Sequence, residues 1–179
     1  MAGELAEGPL SGRRACAHLI ELGVLEQVGR YGSGERLRVH HRETRGNRVE
    51  LRVDDGVVLV EAPFVVLTPY ARGVGDVPQT REQYQAIEVL CERAGERAPR
   101  LRSALARDEL RFRETPLMMG DAVELVAHVE RSAFATAGYR SAAAAPQATT
   151  PLAEGESLFR ASGDAELVDL SLLRAPASQ

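Results

Sequence analysis

Alternating apolar and polar residues in the first third of the chain predict a series of β-strands. Residues 15–28 alternate unevenly, which indicates a bent first strand with a bulge at Gly23. Residues 35–43 and 49–54 alternate with period two, and the turn at Gly46 between them predicts a hairpin. Two shorter apolar runs extend the series, at 57–62 and 63–67.

The apolar spacing becomes helical in the middle of the chain. Thr80 and Gln83 have the spacing of a capping box, so we predict a helix over residues 81–96. A shorter helix is predicted over 99–107. Two further strands are predicted, at 110–117 and 122–131.

The remaining residues predict a loop, a strand and a helix. Residues 137–156 are rich in Ala, Pro, Thr and Gly, and are predicted to form a mobile loop. A closing strand is predicted at 157–161. From Ser162 to Arg174 the leucines recur at every third position, which predicts a terminal helix.

This order of elements predicts an α+β fold. We expect a small OB-like β-barrel with a helical insertion between its third and fourth strands and a C-terminal strand–helix. The predicted single domain covers residues 9–174. Residues 1–8 are predicted to form a disordered N-terminal tail, and residues 175–179 a second short tail.

Composition narrows the class of protein. The chain has 179 residues, of which 44% are hydrophobic and 27% charged, as is usual for a globular domain. Its net charge of -4 disfavours a nucleic-acid partner, which usually needs a basic surface. All 22 basic residues are arginine, as a GC-rich genome would produce. No apolar run approaches the roughly 18 residues of a membrane span, and the first residues lack a signal-peptide core, so we predict a cytoplasmic protein.

The chain carries no motif typical of catalysis or of a metal site. His40 and His41 are neighbours on a strand, so their side chains point to opposite faces and cannot bind one ion. Cys16 and His18 share a face, but no third ligand is close in sequence. Nucleophile-elbow and phosphate-loop patterns are absent. We therefore predict no catalytic activity, no cofactor and no bound metal.

Arginines are concentrated on the predicted hairpin. The candidate binding residues are its outward-facing arginines, Arg36, Arg38, Arg42 and Arg52. The expected register places Arg42 opposite Glu50, and Arg38 opposite Asp54. Pairs of opposite charge across two strands help to fix register. In the alternative interpretation, the same arginines form an anion- or phosphate-binding patch.

Four segments of the chain resemble the motifs of one domain family, in the order that the family has them. The first is Pro-Leu-Ser-Gly at 9–12 with Cys16, and the second is the Asp-Asp-Gly turn at 54–56 that leads into residues 57–60. The third is Arg-Phe-Arg-Glu at 111–114 with Gly-Asp-Ala-Val at 120–123, and the last is residues 158–162. The family is the GIDE-type domain, also called the BAM ("beside a membrane") domain.

The resemblance implies a binding or scaffold module. Known members include ubiquitin ligases of the mitochondrial outer membrane, where the domain lies between two transmembrane helices and precedes a RING finger. Neither feature occurs in this sequence, so ligase activity is not implied. We predict a soluble, bacterial, stand-alone domain that binds a protein partner, and peripheral association with a membrane stays open. The alternative is an OB-like module that binds single-stranded nucleic acid or an anion through the arginine-rich hairpin.

Overall fold

The computed structural model of the chain describes residues 2–3, 5–28, 34–67, 73–132, 148–162 and 168–172. These residues are mostly β, with two α-helices and one short 3-10 helix, so the fold is α+β. The strands are β1 (Ala2–Gly3), β2 (Ala6–Glu7), β3 (Arg14–Ala15), β4 (Ala17–Val28), β5 (Gly34–Arg45), β6 (Arg48–Val53), β7 (Gly56–Glu61), β8 (Phe64–Leu67), β9 (Leu110–Leu117), β10 (Val123–Val126), β11 (His128–Arg131), β12 (Ser157–Ser162) and β13 (Val168–Leu172). The helices are α1 (Arg81–Arg93), the 3-10 helix Gly95–Arg97 and α2 (Ala98–Ala106).

The described strands form four open sheets, and no closed barrel is found among them. The largest has the order β1-β6-β7-β12-β11, in which β7 and β12 are parallel and the other pairs antiparallel. A second sheet has the order β10-β13-β8, with β13 and β8 parallel. The order β5-β4-β9 gives a third, antiparallel sheet, and β2 pairs with β3.

Strand β4 is the centre of the fold because both of its faces are buried. Ala17 and Leu19 contribute to a core shared with the strands of the two other large sheets. Ile20 and Leu22 point to the opposite face and pack into a second core with α1 and α2. The predicted irregularity at Gly23 is confirmed, since the register between β4 and β5 shifts between Leu22 and Gly23, but the extra residue of the bulge lies on β5.

Both predicted helices are confirmed. The Thr80 side chain accepts a hydrogen bond from the Gln83 amide, and the Gln83 side chain accepts one from the Thr80 amide, so the capping box is complete. Ile87, Leu90 and Cys91 form the buried stripe of α1. This stripe packs against the face of β4 that carries Ile20 and Leu22.

The predicted hairpin between residues 35–43 and 49–54 is wrong. Strand β5 pairs with β4, whereas β6 pairs with β1 and β7 in another sheet. The chain turns a corner at Gly46, whose φ of 156° and close approach to Ala17 leave no room for a side chain. A strand that leaves this corner cannot continue alongside β5.

The predicted terminal helix is wrong for the residues that the structure describes in it. Residues 168–172 are strand β13, which pairs in parallel with β8 and antiparallel with β10. Their sequence, Val-Asp-Leu-Ser-Leu, alternates with period two, and two neighbouring strands satisfy its backbone. The predicted strand at 122–131 is in fact two strands, β10 and β11, which belong to different sheets.

The N-terminal residues also differ from the prediction of a disordered tail over 1–8. Ala2–Gly3 pairs with β6 and Ala6–Glu7 pairs with β3, and Gly8 is buried. The predicted mobile loop at 137–156 lies partly outside the described residues. Its described part, 148–156, is hydrogen-bonded to β6, because Thr149 and Thr150 contact Glu50. The tail predicted at 175–179 lies outside the described residues.

Candidate functional site

Three of the four predicted binding arginines lie on one strand, and the fourth does not join them. Arg36, Arg38 and Arg42 lie on β5, whereas Arg52 lies on β6 in a different sheet. Arg52 binds the Glu156 carboxylate, with Nη2 2.8 Å from Oε1 and 2.9 Å from Oε2. The structure therefore separates Arg52 from the other three arginines.

The acidic partners of the β5 arginines come from β4, so the predicted pairs with Glu50 and Asp54 are wrong. Arg42 Nη2 lies 2.7 Å from Oε1 of the buried Glu21, whose Oε2 contacts Arg113 at 2.9 Å. Arg36 binds Glu26 through Nε at 3.2 Å and Nη2 at 3.1 Å. Arg38 is held more loosely, since its Nη1 lies 3.6 Å from Glu26.

The β-bulge places His40 out of register with β4. Leu22 pairs with His41 and Gly23 pairs with Val39, so His40 is the extra residue of β5. A methyl group on Gly23 would lie 2.1 Å from the Arg38 carbonyl oxygen, so glycine is required for this close approach. The bulge on β5 therefore requires the glycine at position 23 of β4.

The His40 side chain is buried, with 9% of its surface exposed, yet its Nε2 has no hydrogen-bond partner among the described residues. Its backbone carbonyl accepts a hydrogen bond of 2.8 Å from Arg97 Nη1 at the start of α2. Burial lowers the pKa of His40, and the positive charges of Arg100, Arg38 and Arg97 lower the pKa further, with Glu26 acting in the opposite direction. The ring is therefore neutral near pH 7.

Two open cavities adjoin the bulge. One of about 400 Å³ is lined by Glu26 and by residues 36–39 of β5. The other, of about 350 Å³, lies between β4 and α2, and its lining includes Val24, Arg100 and Arg107. The β5 arginines Arg36 and Arg38 therefore border the first cavity and Arg100 borders the second, and His40 lines neither.

A second polar cluster lies at Glu114, where two of the segments quoted for the family resemblance meet. The carboxylate accepts hydrogen bonds of 2.9 Å from the Leu10 and Ser11 amides and from the Ser11 hydroxyl. His18 Nδ1 lies 2.7 Å from the same carboxylate, and His18 Nε2 lies 3.1 Å from the Ala6 carbonyl. Both oxygens of the Glu114 carboxylate therefore have partners.

The Glu114 cluster is organised differently from a catalytic triad. In a triad the histidine lies between the nucleophile and the carboxylate, so that it can take the proton. In this cluster Glu114 lies between Ser11 and His18. Burial raises the pKa of Glu114, but the contacts with His18, Leu10 and Ser11 outweigh burial and lower it. The arrangement stabilises a charged carboxylate that ties the N-terminal segment to β9.

Glu50 is a third buried acidic group, and it was expected on the outward face of its strand. It accepts hydrogen bonds of 2.6–3.0 Å from the amides and hydroxyls of Thr149 and Thr150. Burial raises the pKa of Glu50, but these hydrogen bonds outweigh burial and lower it. Sequence reasoning missed this contact, because its partners lie about a hundred positions away.

Strands β10 and β11 lie at the edges of two sheets, and each carries one exposed valine. Each is the terminal strand of its sheet among the described strands. Val126 is 60% exposed and Val129 is 42% exposed, and all four side chains of β11 are exposed. The turn that precedes β10 adds Met118 and Met119, which are also exposed.

Within the described ranges, no group of three or more His, Cys, Asp or Glu residues could hold a metal ion. Over the same residues, no helix has the length and apolar character needed to cross a bilayer. Comparisons of the chain with family models, with curated proteins and with solved structures found no match.

Sequence reasoning also missed His40 and its helical neighbours as a possible site. The one available signal was the uneven alternation around Gly23, which predicted the bulge but not what surrounds it. Arg97 and Arg100 approach His40 only because α2 packs against β4 and β9.

Proposed function

We propose that this chain is a non-catalytic protein-interaction domain of the GIDE/BAM type, with an OB-like arrangement of its strands. The observation that carries the proposal is the exposed apolar edge formed by β10 and β11. Val126 and Val129, on opposite sides of the corner at Ala127, leave 60% and 42% of their surface exposed. Exposed apolar residues on a sheet edge are a recurring feature of protein-binding surfaces.

The partner that fits this edge is an extended segment of another protein. A terminal strand has backbone amide and carbonyl groups on its outer side that can pair with an added strand. β11 pairs with β12 on one side, through His128 with Ser162 and Arg131 with Phe159. An added strand on the other side of β11 would bring its apolar side chains against Val129.

The packing around Glu114 supports the assignment of the domain type. The Pro-Leu-Ser-Gly segment at 9–12 and the Arg-Phe-Arg-Glu segment at 111–114 are far apart in sequence, but the first donates hydrogen bonds to the last residue of the second. The two motifs therefore belong to one structural unit. In the proposed domain type, these residues stabilise the fold and leave binding to the surface.

The test is a binding experiment with matched valine variants. The tagged protein is used to capture partners from the native lysate, and the affinity of any captured protein is then measured with purified components. The first variant is Val126→Lys/Val129→Lys. The control is Val89→Lys, because Val89 on α1 is 45% exposed, a value close to that of Val129, and lies away from this edge.

We expect the double variant to weaken binding by at least about tenfold, since lysine at both positions opposes apolar contact. The control variant should bind as the wild type does. Equal binding by all three proteins would contradict the use of this edge. Loss of binding in an Arg36→Glu/Arg38→Glu variant alone would move the contact to β5 and favour the arginine-based alternative.

A further inference from the structure

Strand β11 has one open side, and the backbone groups that face it can be identified. The Ser132 amide donates a hydrogen bond of 2.7 Å to the Leu158 carbonyl, one position beyond the last residue pair of β11 and β12. Hydrogen-bonded and non-hydrogen-bonded pairs alternate along an antiparallel ladder. The amide and carbonyl groups of Val129 and Arg131 therefore point away from β12, toward a side on which no described strand pairs with β11.

The two faces of β11 carry different chemistry. Val129 lies opposite Ala161 of β12, which belongs to a buried core, so Val129 extends the apolar face of the sheet at its edge. His128 and Glu130 lie on the other face, where His128 Nε2 is 3.2 Å from Glu130 Oε1. The edge therefore offers an apolar side chain on one face, and an imidazole and a carboxylate on the other.

A second copy of the chain can add to this edge about a two-fold axis, which makes the two β11 strands antiparallel. The position of the axis decides which side chains face each other. An axis at Glu130 or at Arg131 would place two like charges opposite each other, which is destabilising, and an axis at His128 would oppose two imidazoles. An axis at Val129 places the two valines opposite each other, and each Glu130 opposite the His128 of the other copy.

The backbone favours the same axis. The Val129 amide and carbonyl both point to the open side, so two copies of this residue can exchange a pair of hydrogen bonds. The neighbouring positions are then non-hydrogen-bonded pairs, in which facing side chains lie closer together. Those are the positions of His128 and Glu130, so an imidazole of one copy can donate a hydrogen bond to a carboxylate of the other on each side of the axis.

We propose that this chain forms a homodimer in which β11 pairs with β11 of a second copy about a two-fold axis at Val129. The inference rests on the proposed use of β11 as a protein-binding edge, and it names the second copy as the strand that occupies this edge. The contact is small, so its dissociation constant should be on the order of 100 µM. The edge holds one added strand, so a segment of another protein must displace the second copy to bind there.

The first measurement is sedimentation equilibrium of the purified full chain between about 5 and 500 µM. The average mass should rise with concentration from 19.4 kDa toward twice that value. Val129→Lys places two lysines opposite each other and should weaken the dimer by at least about tenfold. Val126→Lys is the matched control, because Val126 is an exposed valine of β10 that lies outside the pairing, and it should leave the dimer unchanged.

The second measurement tests the register by cross-linking with diamide as the added oxidant. Val129→Cys should form a disulfide between two copies, because facing residues of a hydrogen-bonded pair have Cα atoms about 5.5 Å apart, within the range of a disulfide. Arg131→Cys is the control, because its two copies would be displaced by four residues, or about 13 Å, along the strands. The native Cys16 and Cys91 are both buried.

The mass of a single chain at every concentration would overturn the proposal. Equal weakening of the dimer by the two lysine variants would do so as well, and so would equal cross-linking of the two cysteine variants. A chain that stays monomeric but captures another protein through Val126 and Val129 would remove this inference and leave the proposed function in place. A dimer that Val129→Lys alone disrupts, with no captured protein that depends on the edge, would support the homodimer and contradict binding of another protein there.

Discussion

His18 and His40 are both buried histidines on neighbouring strands, but their surroundings are opposite. His18 has a carboxylate 2.7 Å from one ring nitrogen and a carbonyl 3.1 Å from the other. His40 has three arginines around it and no partner for Nε2 among the described residues. The pKa of His18 is raised despite burial, because the contacts with Glu114 and Ala6 outweigh it, whereas the pKa of His40 is lowered.

The contrast separates a buried histidine that holds the fold together from one whose Nε2 has no hydrogen-bond partner among the described residues. At His18 the chain supplies a carboxylate and a carbonyl close to the two ring nitrogens, so removal of the histidine should damage the protein. At His40 the chain supplies charge but no partner, so removal of the histidine should cost the fold little. Burial alone does not distinguish these roles, whereas the presence of partners does.

The largest effect is expected from His18→Leu. This change leaves the Glu114 carboxylate buried beside a group that cannot pair with it, and should lower the free energy of unfolding by about 3 kcal/mol. Urea denaturation at pH 7 measures the loss. His128→Leu is the matched control, because His128 is exposed, and it should change stability by less than about 0.5 kcal/mol. Similar values for both variants would contradict a structural role for His18.

The second effect concerns the glycine opposite the bulge. Gly23→Ala would place a methyl group 2.1 Å from the Arg38 carbonyl oxygen, which is backbone and cannot rotate away. We expect a loss of about 2 kcal/mol in urea denaturation, the usual cost of overpacking. The His40 NMR signals should move as well, since the bulge must shift. A variant as stable as the wild type, with unchanged His40 signals, would show that the bulge tolerates a side chain.

The third effect tests the buried Glu50 and depends on pH. Glu50→Gln keeps the size of the side chain but removes the charge, and should cost about 1.5 kcal/mol at pH 7 through weaker hydrogen bonds from Thr149 and Thr150. The pKa of Glu50 is lower in the folded state than its ordinary value of 4.5. The Glu50 charge therefore contributes its full stabilisation above pH 4.5, and this stabilisation is lost as the pH falls through the folded-state pKa.

Denaturation of the wild type and of Glu50→Gln at several pH values between 3 and 7 measures this effect. The difference in stability should shrink below pH 4.5. Glu61→Gln is the control, because the Glu61 side chain is 35% exposed where it pairs with Arg160, and we expect a change under about 0.5 kcal/mol. A pH-independent difference for Glu50→Gln would mean that its charge does not matter.

The smallest effect is expected from His40→Leu, and its sign is opposite to that of His18→Leu. Removal of an unpaired buried nitrogen should leave stability unchanged or raise it by up to about 1 kcal/mol. The His40 contribution to stability should fall as the pH drops below about 6.5, because the unfolded chain binds a proton that the folded His40 resists, whereas His18, whose pKa is raised, acts in the opposite direction in both proteins. The variant should lack that part of the pH dependence. A loss of more than about 1 kcal/mol at pH 7 would assign His40 to the fold.

The sequence predicted those elements whose signal is local. Strand β9 was predicted with its observed bounds, the capping box of α1 is present, and the uneven alternation around Gly23 marks a real bulge. Each of these depends on residues within a few positions of one another.

The assignment of strands to sheets could not be predicted, because it depends on contacts between distant segments. Gly46 is a turn in either arrangement, and the pairing of β6 with β1 and β7 depends on residues distant from it in sequence. Glu50 looked like an outward residue by alternation, because the threonines that cover it are distant in sequence. The surroundings of His40 were missed for the same reason, since Arg97 comes from the 3-10 helix and Arg100 from α2.

Two parallel strand pairs have a consequence for how the chain folds. Ser157 lies beside Gly56, and Val168 lies beside Phe64, so β12 and β13 each join a strand made roughly a hundred residues earlier. The sheet β1-β6-β7-β12-β11 and the sheet β10-β13-β8 cannot be completed until residues 157–172 have been synthesised. Contacts between such distant segments make folding slow, and β7 and β8 stay available for wrong pairing during that time. The protein is therefore expected to depend on chaperones during its synthesis more than its modest size suggests.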